Sequence, residues 1–186
     1  MYSALLFFRV NRWCSLVGAL TLLLTGCHSS TEEERRREFI KRHYAEDFRL
    51  FRNTLIASRG KDDGNWVYLL FCPGQVNAKK GNDLMAVVRV SVATDSITSI
   101  RDSEQTEQCT PALDSVAIVR LMRRFLRYPV NSIGSDAYGN ISFGFGSGEL
   151  GSADITRVED STRFDATFWQ THARVQGPWY ERKVED

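Results

Sequence analysis

Apolar positions along the chain follow two periods, and the changes between them mark out elements. Over residues 31–58, Ile40, Tyr44, Phe48, Phe51 and Leu55 recur three or four apart, which predicts one long helix with that stripe as its core face. Phe39, Leu50 and Ala57 fall on another side of the same wheel. Thr31 and Glu34 have capping-box spacing, Gly60 supplies a stop, and Glu32–Arg36 and Glu33–Arg37 are favourable i, i+4 pairs. Residues 61–65 form a turn by composition. Residues 66–72 are apolar on both faces and read as a central strand. Residues 84–93 alternate, with Leu84, Ala86, Val88, Val90 and Val92 facing in, and residues 97–100 form a short antiparallel partner.

A second helix is predicted to open at Thr110-Pro111. Ala117, Ile118, Val119, Leu121, Met122, Phe125 and Leu126 make one broad apolar face, and Tyr128-Pro129 stops it. Residues 130–133 and 141–146 read as strands around a turn at 136–140, with Ile141, Phe143 and Phe145 on one face. Residues 155–158 and 163–169 are further strand candidates, and 176–186 is a tail. Two amphipathic helices with a mostly antiparallel sheet give an α+β fold, with a small β-barrel carrying external helices as the alternative. The short links between strands exclude a doubly wound parallel sheet.

Composition changes the picture at the N-terminus. Arg9 and Arg12 precede an uncharged, mostly apolar stretch over residues 13–24, the build of an export signal. It is too short for a membrane span, which needs roughly 20 apolar residues. An apolar patch at residues 4–8 lengthens the positive region and points to a downstream start codon. Leu24-Thr25-Gly26-Cys27 resembles the lipobox of bacterial lipoproteins. The resemblance covers the signal alone. It implies cleavage before Cys27, lipidation of that thiol, and residence on a bacterial membrane, by preference the periplasmic face of the outer membrane. The expected organisation is a signal at 1–26, a short lipidated tether at 27–30, and a single α+β domain at 31–186 with a flexible tail.

Removing the first 26 of 186 residues leaves 160, enough for one domain with a real core. It also takes two of the 24 basic residues and none of the 23 acidic ones, so the mature charge is −1. That balance excludes a general nucleic-acid binder. Of four cysteines, Cys14 leaves with the signal and Cys27 takes lipid. Cys72 and Cys109 are then an even pair in an oxidising compartment, where a disulfide is expected and a reactive thiol is the alternative.

Candidate chemistry is sparse. The glycine-rich run from Gly144 to Gly151, GFGSGELG, lacks the following helix and the lysine of a phosphate loop. His43 and His172 are the only histidines within the domain, and each reads as an ordinary boundary residue. Glu149, Asp154, Glu159, Asp160 and Asp165 cluster in sequence, but their spacing fixes no pair across a cleft. No catalytic, metal or cofactor residue is assigned. One charged feature stands out: Arg120, Arg123, Arg124 and Arg127 share a narrow arc of the second helix and form a candidate interaction patch. Local partners such as Asp136 would make it a solvated helix face instead. The expected function is a membrane-anchored binding or structural lipoprotein with membrane lipid and a periplasmic protein as partners. A cell-wall hydrolase and an inhibitor or immunity-type protein are the alternatives.

Overall fold

The computed structural model describes residues 31–71, 84–102, 113–146 and 153–183. The lipobox, Cys27 and the pair Cys72 and Cys109 lie outside the described residues. The chain divides into two units, Met1–Arg37 and Glu38–Asp186. Helix α1 (Glu32–His43) starts with the expected capping box: Glu34 N donates to Thr31 Oγ1 at 3.2 Å, and Thr31 N donates to Glu34 Oε2 at 2.9 Å. Arg37 pairs with Glu33 at 2.5 Å, as the spacing required.

The helix does not run to residue 58. It ends at His43, and after a 3-10 turn at Arg49–Phe51 the chain becomes strand β1 (Thr54–Asp62). The physical reason is tertiary pairing. β1 lies between β2 (Asn65–Phe71) and β5 (Ser132–Ser135), so Ile56 sits opposite both Leu70 and Ile133. Two ladders of backbone hydrogen bonds and burial on both faces outweigh a three-to-four spacing. The expected stripe therefore splits. Ile40, Phe48 and Phe51 are buried on three different local structures, while Tyr44 is 38 % exposed. Gly60 is no helix stop: at φ +112 it pairs with Val67 beside a bulge in β1, where Arg59 has no partner on β2. Asp63 and Gly64, at φ 45 and 73, are the two central residues of the β1–β2 hairpin, a turn in which both must be left-handed.

β3 (Leu84–Ser91) and β4 (Ile97–Asp102) follow, then α2 (Ser115–Phe125), β5, β6 (Ile141–Gly144) and β7 (Ile155–Arg157). The cap of α2 is Asp114, whose carboxylate accepts from Ala117 N at 2.7 Å, so the helix begins later than Thr110-Pro111 suggested. The last elements depart further from expectation. Residues 163–169 are not a strand: Asp165 caps a short helix α3 (Ala166–Thr171) by accepting from Phe168 N. The expected tail supplies a strand, β9 (Trp179–Arg182), which forms a hairpin with β8 (His172–Gln176) just before it.

Among the described residues nine strands form one sheet in the order β4-β3-β2-β1-β5-β6-β7-β9-β8, with every neighbouring pair antiparallel. The sheet is open, since β4 and β8 are its two edges and do not pair. This rules out the closed barrel. Direct cross-strand partners make a continuous row: Ala86, Leu70, Ile56, Ile133, Phe143 and Ile155, each 0 % exposed. Ile118, Leu121, Met122 and Phe125 of α2 and Phe39 and Ile40 of α1 pack in one cluster with that row. Trp179 of β9 joins the same cluster, stacked 5.8 Å from Phe143. Ala57, Val67 and Leu69 are buried on the opposite face, outside the cluster.

Candidate functional site

The segment between α1 and β1 arches past the β5–β6 turn and the end of β7, leaving a cleft of about 460 Å³. Its lining includes Asp47, Arg49, Arg52, Tyr138, Arg157 and Glu159, with Glu46 at one end. Buried Asn140 holds two of these walls together. Its Oδ1 accepts from the backbone N–H of Glu159 and of Asp160, each at 2.8 Å, and its Nδ2 donates to Asp136 at 2.8 Å. Such saturation is what a buried amide needs.

Glu46 is the hub of the site. Its Oε1 accepts from Tyr128 Oη at 2.8 Å and from Arg124, and its Oε2 meets His43 Nδ1. Its backbone carbonyl accepts from Arg157 Nη1 at 2.6 Å. One residue thereby ties together the end of α1, the end of α2 and β7. Burial alone would raise the Glu46 carboxyl. Hydrogen bonds from Tyr128 and His43, with the charge of Arg124, outweigh it and hold the group below 4.5. Burial, then the bond to Glu46 and its negative charge, push the Tyr128 phenol well above its ordinary value.

The remaining cleft charges are mostly spent on one another. Arg49 grips Asp47 through both carboxylate oxygens, Nε donating to Oδ1 at 3.0 Å and Nη2 to Oδ2 at 2.7 Å, and its hydrogen bonds lower Asp47 to about 2. Arg157 Nε is buried 2.7 Å from Glu159 Oε1, an ionic contact without hydrogen-bond alignment. Arg52 lines the wall with its guanidinium beside Gly139 and joins no ion pair among the described residues. A carboxylate already accepting several donors is a poor base. The arrangement fixes loops and presents a guanidinium, and it offers no free acid–base pair.

No family model, no curated protein and no solved structure matches the chain.

Its chemistry is therefore judged from the residues. Among the described residues no group of three or more His, Cys, Asp or Glu side chains is placed to hold a metal ion, and no helix is long and apolar enough to cross a membrane. The clustered carboxylates do not converge. Asp154 accepts from Phe145 N at 2.5 Å, Asp160 caps the turn at Ser161–Arg163, and Asp165 caps α3. Glu149 and Ser147 lie outside the described residues.

The two histidines have local duties. His43 packs against Phe39 and Tyr128 while meeting Glu46. His172 stacks 4.0 Å from Phe168, with Nδ1 3.1 Å from the Phe168 carbonyl. Burial lowers the His172 imidazole; the Phe168 carbonyl opposes this, and the charges of Arg182 and Lys183 add to it.

The structure divides the four arginines expected to act together. Arg120, Arg123 and Arg127 are exposed. Arg124 turns inward to Glu46, with its guanidinium 5.7 Å from the Tyr128 ring. Asp136 is not their partner: its carboxylate caps its own turn, accepting from Tyr138 N and Asn140 N. Sequence spacing cannot show this, because Glu46 lies 78 positions from Arg124.

A further surface escaped the sequence reading altogether. At the β8 end of the sheet, Ala173, Arg174, Val175 and Gln176 are all exposed. Phe164, Phe168, Trp169, His172 and Tyr180 form a half-exposed aromatic group beside them, with Trp169 37 % exposed. The available signal was Gly177-Pro178 between two runs containing Val and aromatic residues, which marks a hairpin.

Proposed function

We propose that the chain is an exported lipoprotein, anchored through Cys27 to the periplasmic face of a bacterial outer membrane, that works by binding a partner protein. Its frame on this reading is α+β, with α1 and α2 packed on one face of the antiparallel sheet. The partner supplies an extended segment that adds to β8 as a tenth strand and carries acidic side chains toward Arg174 and Arg182. The anchor rests on the resemblance of residues 24–27 to a lipobox.

The observation that carries the binding site is the open edge at β8, with exposed residues along its length and half-exposed aromatic rings beside it. Unpaired strand edges recruit other strands, and Trp and Tyr give interfaces apolar area with a polar handle. Arg174 and Arg182 are exposed on one face of the hairpin. Neither joins an ion pair to a carboxylate among the described residues, which favours an acidic segment. The hydrolase alternative has less support, because the carboxylates and histidines of the described residues are tied to local partners.

The β8 ladder supplies the test. Lys183 N donates to the Thr171 carbonyl, so alternation points Arg174 N–H toward the open edge. A photo-crosslinking residue at Val175 of the full chain, in its native cells, should give one discrete protein adduct. The adduct should survive Arg174→Lys and disappear with Arg174→Pro, which deletes the outward donor at an edge that tolerates proline. Mass analysis of the same material should find lipidated Cys27 at the N-terminus. An adduct indifferent to Arg174→Pro, or none, overturns the binding site; a different N-terminus overturns the anchor.

A further inference from the structure

We propose that the outer face of α2 lies on an anionic lipid surface. Val116, Arg120 and Arg123 follow one another at intervals of four and three residues, which places them in a single row along the helix, and Arg127, four positions on, extends the row into the turn that closes it. The opposite face is fixed by Ile118, Leu121, Met122 and Phe125, all 0 to 2 % exposed, so the row faces solvent. Val116, at the start of the row, is 77 % exposed, the most exposed of the large hydrophobic side chains among the described residues. From Val116 to Arg123 the row extends about 10 Å along the helix; with Arg127 it carries three positive charges, and it contains no carboxylate. Arg120, Arg123 and Arg127 join no ion pair among the described residues, whereas Arg124, off the row, is held by Glu46.

Charge of one sign, arranged in a line with an uncovered apolar side chain at its end, suits a bilayer surface. Long arginine stems reach phosphate while a valine enters the headgroup boundary. Three charges alone hold weakly, so the row sets which face meets the bilayer once another attachment keeps the chain there. The inference draws on the Cys27 reading only for that attachment and is independent of the β8 contact.

The test uses the full chain floated with vesicles of phosphatidylcholine alone, or of phosphatidylcholine with phosphatidylglycerol, followed by arginine modification with phenylglyoxal. On anionic vesicles the modification rates of Arg120, Arg123 and Arg127 should fall at least about threefold, and recover in about 0.5 M salt as screening shortens the interaction. Arg52 and Arg174 should react equally on both vesicle types. Arg120→Gln with Arg123→Gln should remove the protection of Arg127. Flotation with both vesicle types but equal rates at the row sinks this inference and leaves the anchor standing. Flotation with anionic vesicles alone, with the row protected, supports it and removes the anchor. Equal protection of all arginines, or no flotation, overturns it.

Discussion

The sheet is built as one piece but its two ends are not alike. Over six neighbouring strands, a row of cross-strand partners from Ala86 to Ile155 is fully buried, in one cluster with Phe39 and Ile40 of α1 and with Ile118, Leu121, Met122 and Phe125 of α2. One step further the same row reaches half-exposed Glu181 on β9 and exposed Ala173 on β8. The backbone ladder thus continues past the point where the main core stops. Beyond it, cohesion comes from Trp179, which reaches back into the core, and from the small aromatic group of α3, β8 and β9. Hydrogen bonding extends a sheet, but buried apolar area fixes how firmly each part is held.

The sharpest way to break that comparison is to remove one ring from each side. Phe143 is 0 % exposed and touches Phe39, Phe48 and Trp179, so Phe143→Ala should cost about 3–5 kcal/mol. Phe168, half-exposed between Phe164 and His172, should cost about 1 kcal/mol as alanine. Urea unfolding of the two variants decides it; equal losses would mean that the β8 end is as deeply cored as the centre.

The same contrast explains what could be read from the sequence. Where both faces of a strand are covered, or one face alternates cleanly, the pattern carries the answer: residues 66–72, 84–93 and 141–146 all lie close to observed strands. Residues 31–58 misled because Ile40 is buried from a helix, Phe48 from the loop after it, Phe51 from a 3-10 turn and Ile56 from a strand, so burial persisted while the local structure changed. At the β8 end the pattern was weak because Ala173 to Gln176 bury nothing, and only the turn at Gly177-Pro178 announced a hairpin. The cleft was invisible for another reason. Glu46 and Arg157, 111 positions apart, meet only after the sheet has formed.

An intermediate effect is expected at Glu46, which belongs to the well-held side yet carries charge. Its side chain is 21 % exposed and serves Tyr128, Arg124 and His43 together. Glu46→Gln should cost about 2 kcal/mol near neutral pH, since it leaves a half-buried guanidinium without its counter-charge. The folded carboxyl lies below 4.5, so its stabilisation is complete above that value and is lost as the pH falls through the folded pKa. Unfolding midpoints measured from neutral to acid pH should therefore converge for the two proteins in the acid range. A constant gap at all pH values would show that shape, not charge, gives Glu46 its role.

The smallest effect separates residues of one type on one helix. Arg120 and Arg124 are both on α2, four positions apart, yet only Arg124 reaches Glu46. Its side chain is 32 % exposed, so solvent screens part of the attraction, and Arg124→Gln should cost about 1 kcal/mol. Arg120 is exposed and clear of the last helical turn, where the dipole would reward a cation, so Arg120→Gln should stay within about 0.5 kcal/mol. Arg127 is a poorer comparison because it lies in the closing turn. The discriminating measurement is a double-mutant cycle. Glu46→Gln combined with Arg124→Gln should show a coupling of about 1 kcal/mol, and combined with Arg120→Gln almost none. Equal coupling in the two cycles would mean that Glu46 feels the charge of the whole helix rather than one partner. The division between a structural arginine and an outward row would then be lost. Coupling confined to Arg124 would leave Arg120, Arg123 and Arg127 dispensable for folding, which is the condition a surface needs if its charges are to be used elsewhere.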